Sequence, residues 1–130
     1  MRSNEDQLSK ISFMKNMIKL EELGMLVASI LALMYLKVEY WYYLILFLGP
    51  DVSMIAYLFG NKIGAVCYNI FHHKGIALAL FLIGFIYNSW SLQVTGLILF
   101  GHSSLDRMAG YGLKYEAGFK FTHLGVIGKK

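Results

Sequence analysis

Between residues 23 and 108 the chain is a succession of long apolar runs joined by turns of only a few residues, and several ionisable side chains fall inside those runs. Such a pattern leaves no room for a separate soluble domain. Hydrophobic residues make up 57% of the 130 residues and charged ones 15%, with a mean hydropathy of +0.53 and a single proline. A water-soluble domain sits nearer half apolar and about a quarter charged, so the excess apolar surface must face something other than water, and lipid is the obvious candidate. Disorder is excluded by the same hydrophobicity, and a disulfide-stapled fold by the lone Cys67. The net charge of +4 comes from basic residues that form no continuous stripe, which sets nucleic acid aside as a partner.

The runs predict four transmembrane helices in an all-α bundle. The first apolar stretch, 23–36, covers about 21 Å at helical rise, short of a hydrocarbon layer of about 30 Å, so its helix should start earlier, near Phe13. A signal peptide is the rival reading, but no small-residue cleavage site follows Leu36. The second span, 40–59, opens on Trp41, Tyr42 and Tyr43 as an interfacial belt and is kinked at Gly49-Pro50, which aims Asp51 inward. A tight turn at Gly60-Asn61-Lys62 leads into a third span, 63–87, interrupted by His72-His73-Lys74. The fourth, 90–108, carries Gly101-His102-Ser103-Ser104 and ends at Asp106-Arg107. Residues 1–19 read as a cytoplasmic or interfacial segment, 20–110 as the transmembrane domain, and 111–130 as a basic, aromatic interfacial tail.

Four spans put both termini on one side. Arg2, Lys10, Lys15, Lys19, Lys62, Arg107, Lys114, Lys120, Lys129 and Lys130 fall on that side and Lys37 on the other, so the termini are expected in the cytoplasm. Membrane lipids are then the first partners, and a homo-oligomer is a further expectation.

Depth is the most informative pattern. Asp51, His72 and His102 each lie about 12 to 15 Å along a helix from the cytoplasmic edge, on three different spans. An ionisable group at mid-helix costs roughly 2.5–3.5 kcal/mol unless it is satisfied internally, so convergence is the economical account. His102 and Asp106 share a helical face at i, i+4, and Asn69 and Tyr68 share faces with His72 at i+3 and i+4. Asp51, His72, His102 and Asp106 together suit a divalent metal such as Zn²⁺, Mn²⁺ or Fe²⁺, with His102 and Asp106 as catalytic candidates and Tyr68, Asn69 and Ser103 supporting the rings. The plainer account makes His102–Asp106 a buried hydrogen-bonded pair that locks its helix. His73 and Lys74 read as snorkelling or lining a wet cavity, and the small residues Gly64, Ala65, Gly75 and Ala77 as helix contacts. The tail reads either as a headgroup-level anchor or as a segment folded under the bundle mouth, where Arg107, Lys114, Tyr115, Lys120 and His123 meet a substrate phosphate.

The stretches Leu20-Glu21-Glu22, Gly49-Pro50-Asp51-Val52-Ser53-Met54, Tyr68-Asn69-Ile70-Phe71-His72, Gly101-His102-Ser103-Ser104-Leu105-Asp106-Arg107 and Gly110-Tyr111-Gly112-Leu113-Lys114-Tyr115 through Thr122-His123-Leu124-Gly125 resemble a family of small bacterial integral-membrane proteins, domain of unknown function 4260. The resemblance implies a bacterial inner membrane as the location but no established activity, and it brings Glu22 into the candidate set. A second likeness, to bacterial membrane-bound metal-dependent hydrolases, implies roles for Pro50-Asp51, His72, His102 and Asp106, although the histidine-rich motif of those hydrolases is missing here. The expectation is therefore a metal-dependent hydrolase or transferase acting on a lipid or amphipathic substrate. The alternatives are a small oligomeric transporter or proton relay, and a membrane subunit without chemistry.

Overall fold

The computed structural model describes residues 1–128; Lys129 and Lys130, two of the basic residues assigned to the cytoplasmic side, lie outside the described residues. The described residues are all-helical apart from a small β-ladder in the tail, with five α-helices and one 3₁₀ helix among them.

Helix α1 (Arg2–Tyr35) starts far ahead of the expected Phe13, because residues 2–22 contain neither glycine nor proline to stop it. Its residues 2–21 are exposed all round, and it buries only Leu26, Ser29 and Leu33 against the rest of the chain. Helix α2 (Trp41–Leu48) runs straight into a 3₁₀ helix (Gly49–Phe59) with Pro50 in its first turn. The expected kink is thus a change of helix type. An eleven-residue 3₁₀ run is unusual, since its hydrogen bonds are poorer than those of an α-helix.

Gly60, at φ 115°, turns the chain back into α3 (Asn61–His72). The expected third span is two helices, α3 and α4 (Lys74–Ile86), bent by 48° at His73, whose own backbone is extended. Neither proline nor glycine stands at the break. The His73 Nδ1 accepts from the Ile76 amide and caps α4, so the side chain read as snorkelling serves as a helix start. Helix α5 (Trp90–Ala109) ends at Gly110, which is left-handed at φ 95°.

Helix α5 is the centre of the fold and packs against α1, α2 and α4. The core consists of Leu26, Leu33, Leu46, Val94, Leu97 and Ile98. Helices α4 and α5 meet backbone to backbone at Gly96, where a Cβ would stand 2.5 Å from the Phe81 amide and 2.6 Å from the Ala77 carbonyl oxygen. The tail forms β1 (Phe121–Thr122) and β2 (Gly125–Val126), paired antiparallel, and Lys114 bridges to Thr122.

Among the described residues, α2 with the 3₁₀ helix is the single stretch long and apolar enough to cross a membrane, and α3 with α4 pass the same test as a bent pair. Four complete spans are thus not evident from helix length and composition: α1 carries charge along its first half, and α5 carries Gln93, His102, Asp106 and Arg107.

The 3₁₀ helix and α3 form a hairpin about Gly60, and the two arms touch where Gly64 lies under Tyr57. A Cβ at Gly64 would meet the Tyr57 ring at 2.3 Å and its Cα at 2.8 Å. Gly64→Val should therefore lower the thermal unfolding midpoint by the equivalent of about 1–3 kcal/mol, the usual cost of overpacking. Gly24→Ala, in open space on α1, should be neutral or slightly stabilising in the same assay.

Candidate metal centre

The hairpin sets the levels of two site residues. At about 2.0 Å per residue, the 3₁₀ arm carries Asp51 about 18 Å from Gly60; α3, at about 1.5 Å per residue, carries His72 the same distance. An α-helical first arm would leave Asp51 about 4.5 Å short. The rarer helix type thus brings the carboxylate level with the imidazole, and α5 adds His102 and Asp106 from a third element.

The four side chains meet. His72 Nε2 lies 3.2 Å from Asp51 Oδ1 and 3.3 Å from Asp106 Oδ2; His102 Nε2 lies 3.1 and 3.6 Å from the same two atoms. Each residue offers one ligand atom, and all four atoms fall within 4.8 Å of one another. Both imidazoles are buried, while the Asp51 side chain is 37% exposed and so opens the cluster on one side.

The other ring nitrogens decide what those atoms can do. His72 Nδ1–H donates to the Tyr68 carbonyl at 2.8 Å, and His102 Nδ1–H donates to the Leu46 carbonyl at 2.8 Å. A carbonyl oxygen can only accept, so each Nδ1 carries a proton and the neutral ring presents its Nε2 lone pair to the carboxylates. Two lone pairs and two carboxylate oxygens face one centre, an arrangement that repels itself unless a cation or added protons stand between them. The four nitrogen–oxygen separations of 3.1–3.6 Å are short enough for one ion with bonds of about 2.1 Å to bridge each pair. Backbone carbonyls on the distal nitrogens are also the usual supports of metal-binding histidines. The group is therefore able to hold a divalent ion.

Of the residues expected to support the rings, Tyr68 touches the cluster. The Tyr68 hydroxyl donates to Asp106 Oδ2 at 3.0 Å, and its ring stacks on His72 with centroids 3.8 Å apart. Asn69 grips the tail instead of a ring: its Nδ2 donates to the Lys114 carbonyl at 2.8 Å and its Oδ1 accepts from the Lys114 amide at 2.6 Å. Ser103 bonds only the Leu99 carbonyl of its own helix, and Glu22 pairs with Lys74, so neither reaches the cluster. Arg107 points its guanidinium at the His72 and Tyr111 carbonyls and ties the end of α3 to the tail.

The tail closes over the centre. Asp51, Asp106, Tyr68 and Lys114 line a cavity of about 330 Å³ together with Met54, Tyr111, Phe119 and Ile127. The Lys114 ammonium sits 3.9 Å from the Phe119 ring centroid and 4.9 Å from that of Tyr68. Burial pushes the Lys114 amine below its ordinary range, against the pull of Asp106 and Asp51. Of the other expected phosphate contacts, Tyr115 and Lys120 are on the surface, and His123 lines a different cavity. Met54, Tyr111 and Phe119 escape sequence reasoning: Met54 reads as one more apolar residue of its span, and the other two sit in a tail with no helical or strand period.

Two outcomes check this arrangement. Asn69→Ala removes both bonds to the Lys114 backbone, so the tail should be cut faster by limited proteolysis, by about an order of magnitude, with helical content unchanged. Burial and the nearby Arg107 lower the His123 imidazole, whose Nδ1 accepts from the Leu113 amide at 2.7 Å. The unfolded tail then binds the proton more readily. Protection of the tail should be complete above pH about 6.5 and decline as pH falls toward the lowered folded value, and His123→Asn should flatten that profile.

No curated protein and no solved structure matches the chain. Residues 15–127 match the family described as Domain of unknown function (DUF4260), which spans the candidate ligands, the hairpin and nearly all of the tail. The chain belongs to that family.

Proposed function

We propose that this chain is a membrane-embedded, metal-dependent hydrolase or transferase acting on a lipid or another amphipathic substrate. The observation that carries this reading is the pair of histidines with Nδ1 bonded to backbone carbonyls and Nε2 turned to two carboxylates. Asp51, His72, His102 and Asp106 would hold Zn²⁺, Mn²⁺ or Fe²⁺, ions that accept mixed nitrogen and oxygen ligands. When bound, such an ion supplies Lewis acidity and makes a water nucleophilic near neutral pH.

The residues around the centre divide the remaining work. Lys114, across the cavity from Asp51 and Asp106, meets anionic oxygens of the substrate. Phe119, Met54 and Ile127 give the apolar wall that an amphipathic molecule needs. The Tyr68 hydroxyl donates to Asp106 Oδ2 and orients that carboxylate toward the ion. A membrane setting is supported by the exposed apolar side chains Leu31 and Met34 of α1, Ile55 and Leu58 of the 3₁₀ helix, and Phe85 and Ile86 of α4. In this reading the spans are α1, α2 with the 3₁₀ helix, α3 with α4, and α5, with both termini in the cytoplasm of a bacterium.

A second reading rests on the hydrogen-bonded chain Tyr68–Asp106–His72/His102–Asp51, which with protons in place of a metal is a relay for an oligomeric transporter. Metal analysis separates the two. Protein purified gently in detergent should carry about one ion per chain, lost in His102→Ala. Less than about a tenth of an ion per chain, unchanged by His102→Ala, would contradict the metal reading. The chain should also stay in the membrane fraction through alkaline washing; release into the wash would contradict the membrane reading.

A further inference from the structure

A second cavity, of about 340 Å³, shares no lining residue with the one at the metal centre and is lined by Ile18, Glu22, His73, Lys74, Gly75, Arg107, Leu113, His123 and Leu124. Its polar groups are mostly donors. His73 Nδ1 accepts from the Ile76 amide and His123 Nδ1 accepts from the Leu113 amide, so each neutral ring carries its proton on Nε2. This is the reverse of the tautomer in the metal centre. Lys74 donates to Glu22 and to the Met25 sulfur, and the ammonium has three N–H groups to give. Arg107 spends two guanidinium N–H groups on the carbonyls of Tyr111 and His72, out of five.

The lining therefore brings two cations and two N–H imidazoles around one carboxylate, which Lys74 already engages. Gly75 makes room for this: a Cβ there would stand 2.8 Å from His73 Cε1 and would push the ring from its place over the start of α4. Like-charged neighbours gathered at a concave, partly apolar site are relieved by an anion, and tetrahedral oxyanions take several such donors at once.

We propose that this cavity binds a phosphate group, presented either by a lipid headgroup or as a free phosphoryl compound, through Lys74, Arg107, His73 and His123. Ile18, Leu113 and Leu124 are apolar neighbours suited to the glycerol and first methylenes of a lipid. The site is separate from the proposed ion centre and does not depend on it, although Arg107 bonds the carbonyl of the ligand residue His72.

The test is a binding titration on the detergent-purified full chain, stripped of phosphate, read by thermal unfolding and by calorimetry. Three probes are used: inorganic phosphate, a short-chain phosphatidic acid, and the matching diacylglycerol. Phosphatidic acid should bind saturably and raise the unfolding midpoint, and diacylglycerol should do neither. Binding of inorganic phosphate as well would identify a free phosphoryl compound as a sufficient ligand; its failure would identify the lipid headgroup. The paired variant Glu22→Gln/Lys74→Gln removes the cation without stranding a carboxylate and should weaken binding at least tenfold, while Lys10→Gln on the exposed part of α1 should not change it. Should the paired variant fail to fold, His123→Ala on the exposed tail replaces it, with a loss of at least threefold expected. Equal response to phosphatidic acid and diacylglycerol, no response to any probe, or binding unchanged in the variants would overturn the proposal.

Discussion

Two backbone carbonyls, those of Leu46 and Tyr68, set the chemistry of this molecule. By accepting from Nδ1 of His102 and His72 they fix both tautomers and turn two unprotonated nitrogens toward Asp51 and Asp106. In a low-dielectric interior, four acceptor atoms at 3.1–3.6 Å from their neighbours demand a positive charge between them. Either a divalent ion or a pair of extra protons meets that demand, and the two solutions correspond to two classes of function. The backbone carbonyls behind both rings, and the open side at Asp51, favour the ion.

Everything else in the fold serves to bring those atoms together and to restrict access to them. The 3₁₀ helix and α3 are arms of matched length about Gly60, and Gly64 lets them close on Tyr57. Helix α5, the best-packed element, contributes a histidine and an aspartate one turn apart. The tail then docks on Asn69 through the backbone of Lys114, which places an ammonium over two aromatic faces at the cavity wall. The two histidines at the break have opposite surroundings: His72 faces the carboxylates of Asp51 and Asp106, and His73 lines a cavity rich in donors.

The convergence of Asp51, His72 and His102 was legible because ionisable groups in apolar runs are costly, and similar positions along three such runs left mutual satisfaction as the cheapest outcome. Asp106 followed from its i, i+4 spacing to His102. The division of the third run at His73 was not legible, since no proline or glycine occupies the break and the cap is made by a side chain usually read as polar decoration. Nor was the 3₁₀ conformation, because Gly49-Pro50 signals a kink without saying which helix type follows. The Glu22–Lys74 pair and the grip of Asn69 on Lys114 join residues far apart in sequence, beyond the reach of any local period. Short tail strands stapled by one bridge leave no alternation to read.

The central claim concerns the protonation of two rings, and nitrogen-15 spectroscopy of histidine-labelled protein measures it directly. With Zn²⁺ added, His72 and His102 should each show a protonated Nδ1 and an Nε2 shifted to the metal-bound position, and Asp51→Asn should disturb both signals. Two imidazolium rings, protonated on both nitrogens and indifferent to Zn²⁺, would show that protons fill the centre and would contradict the account.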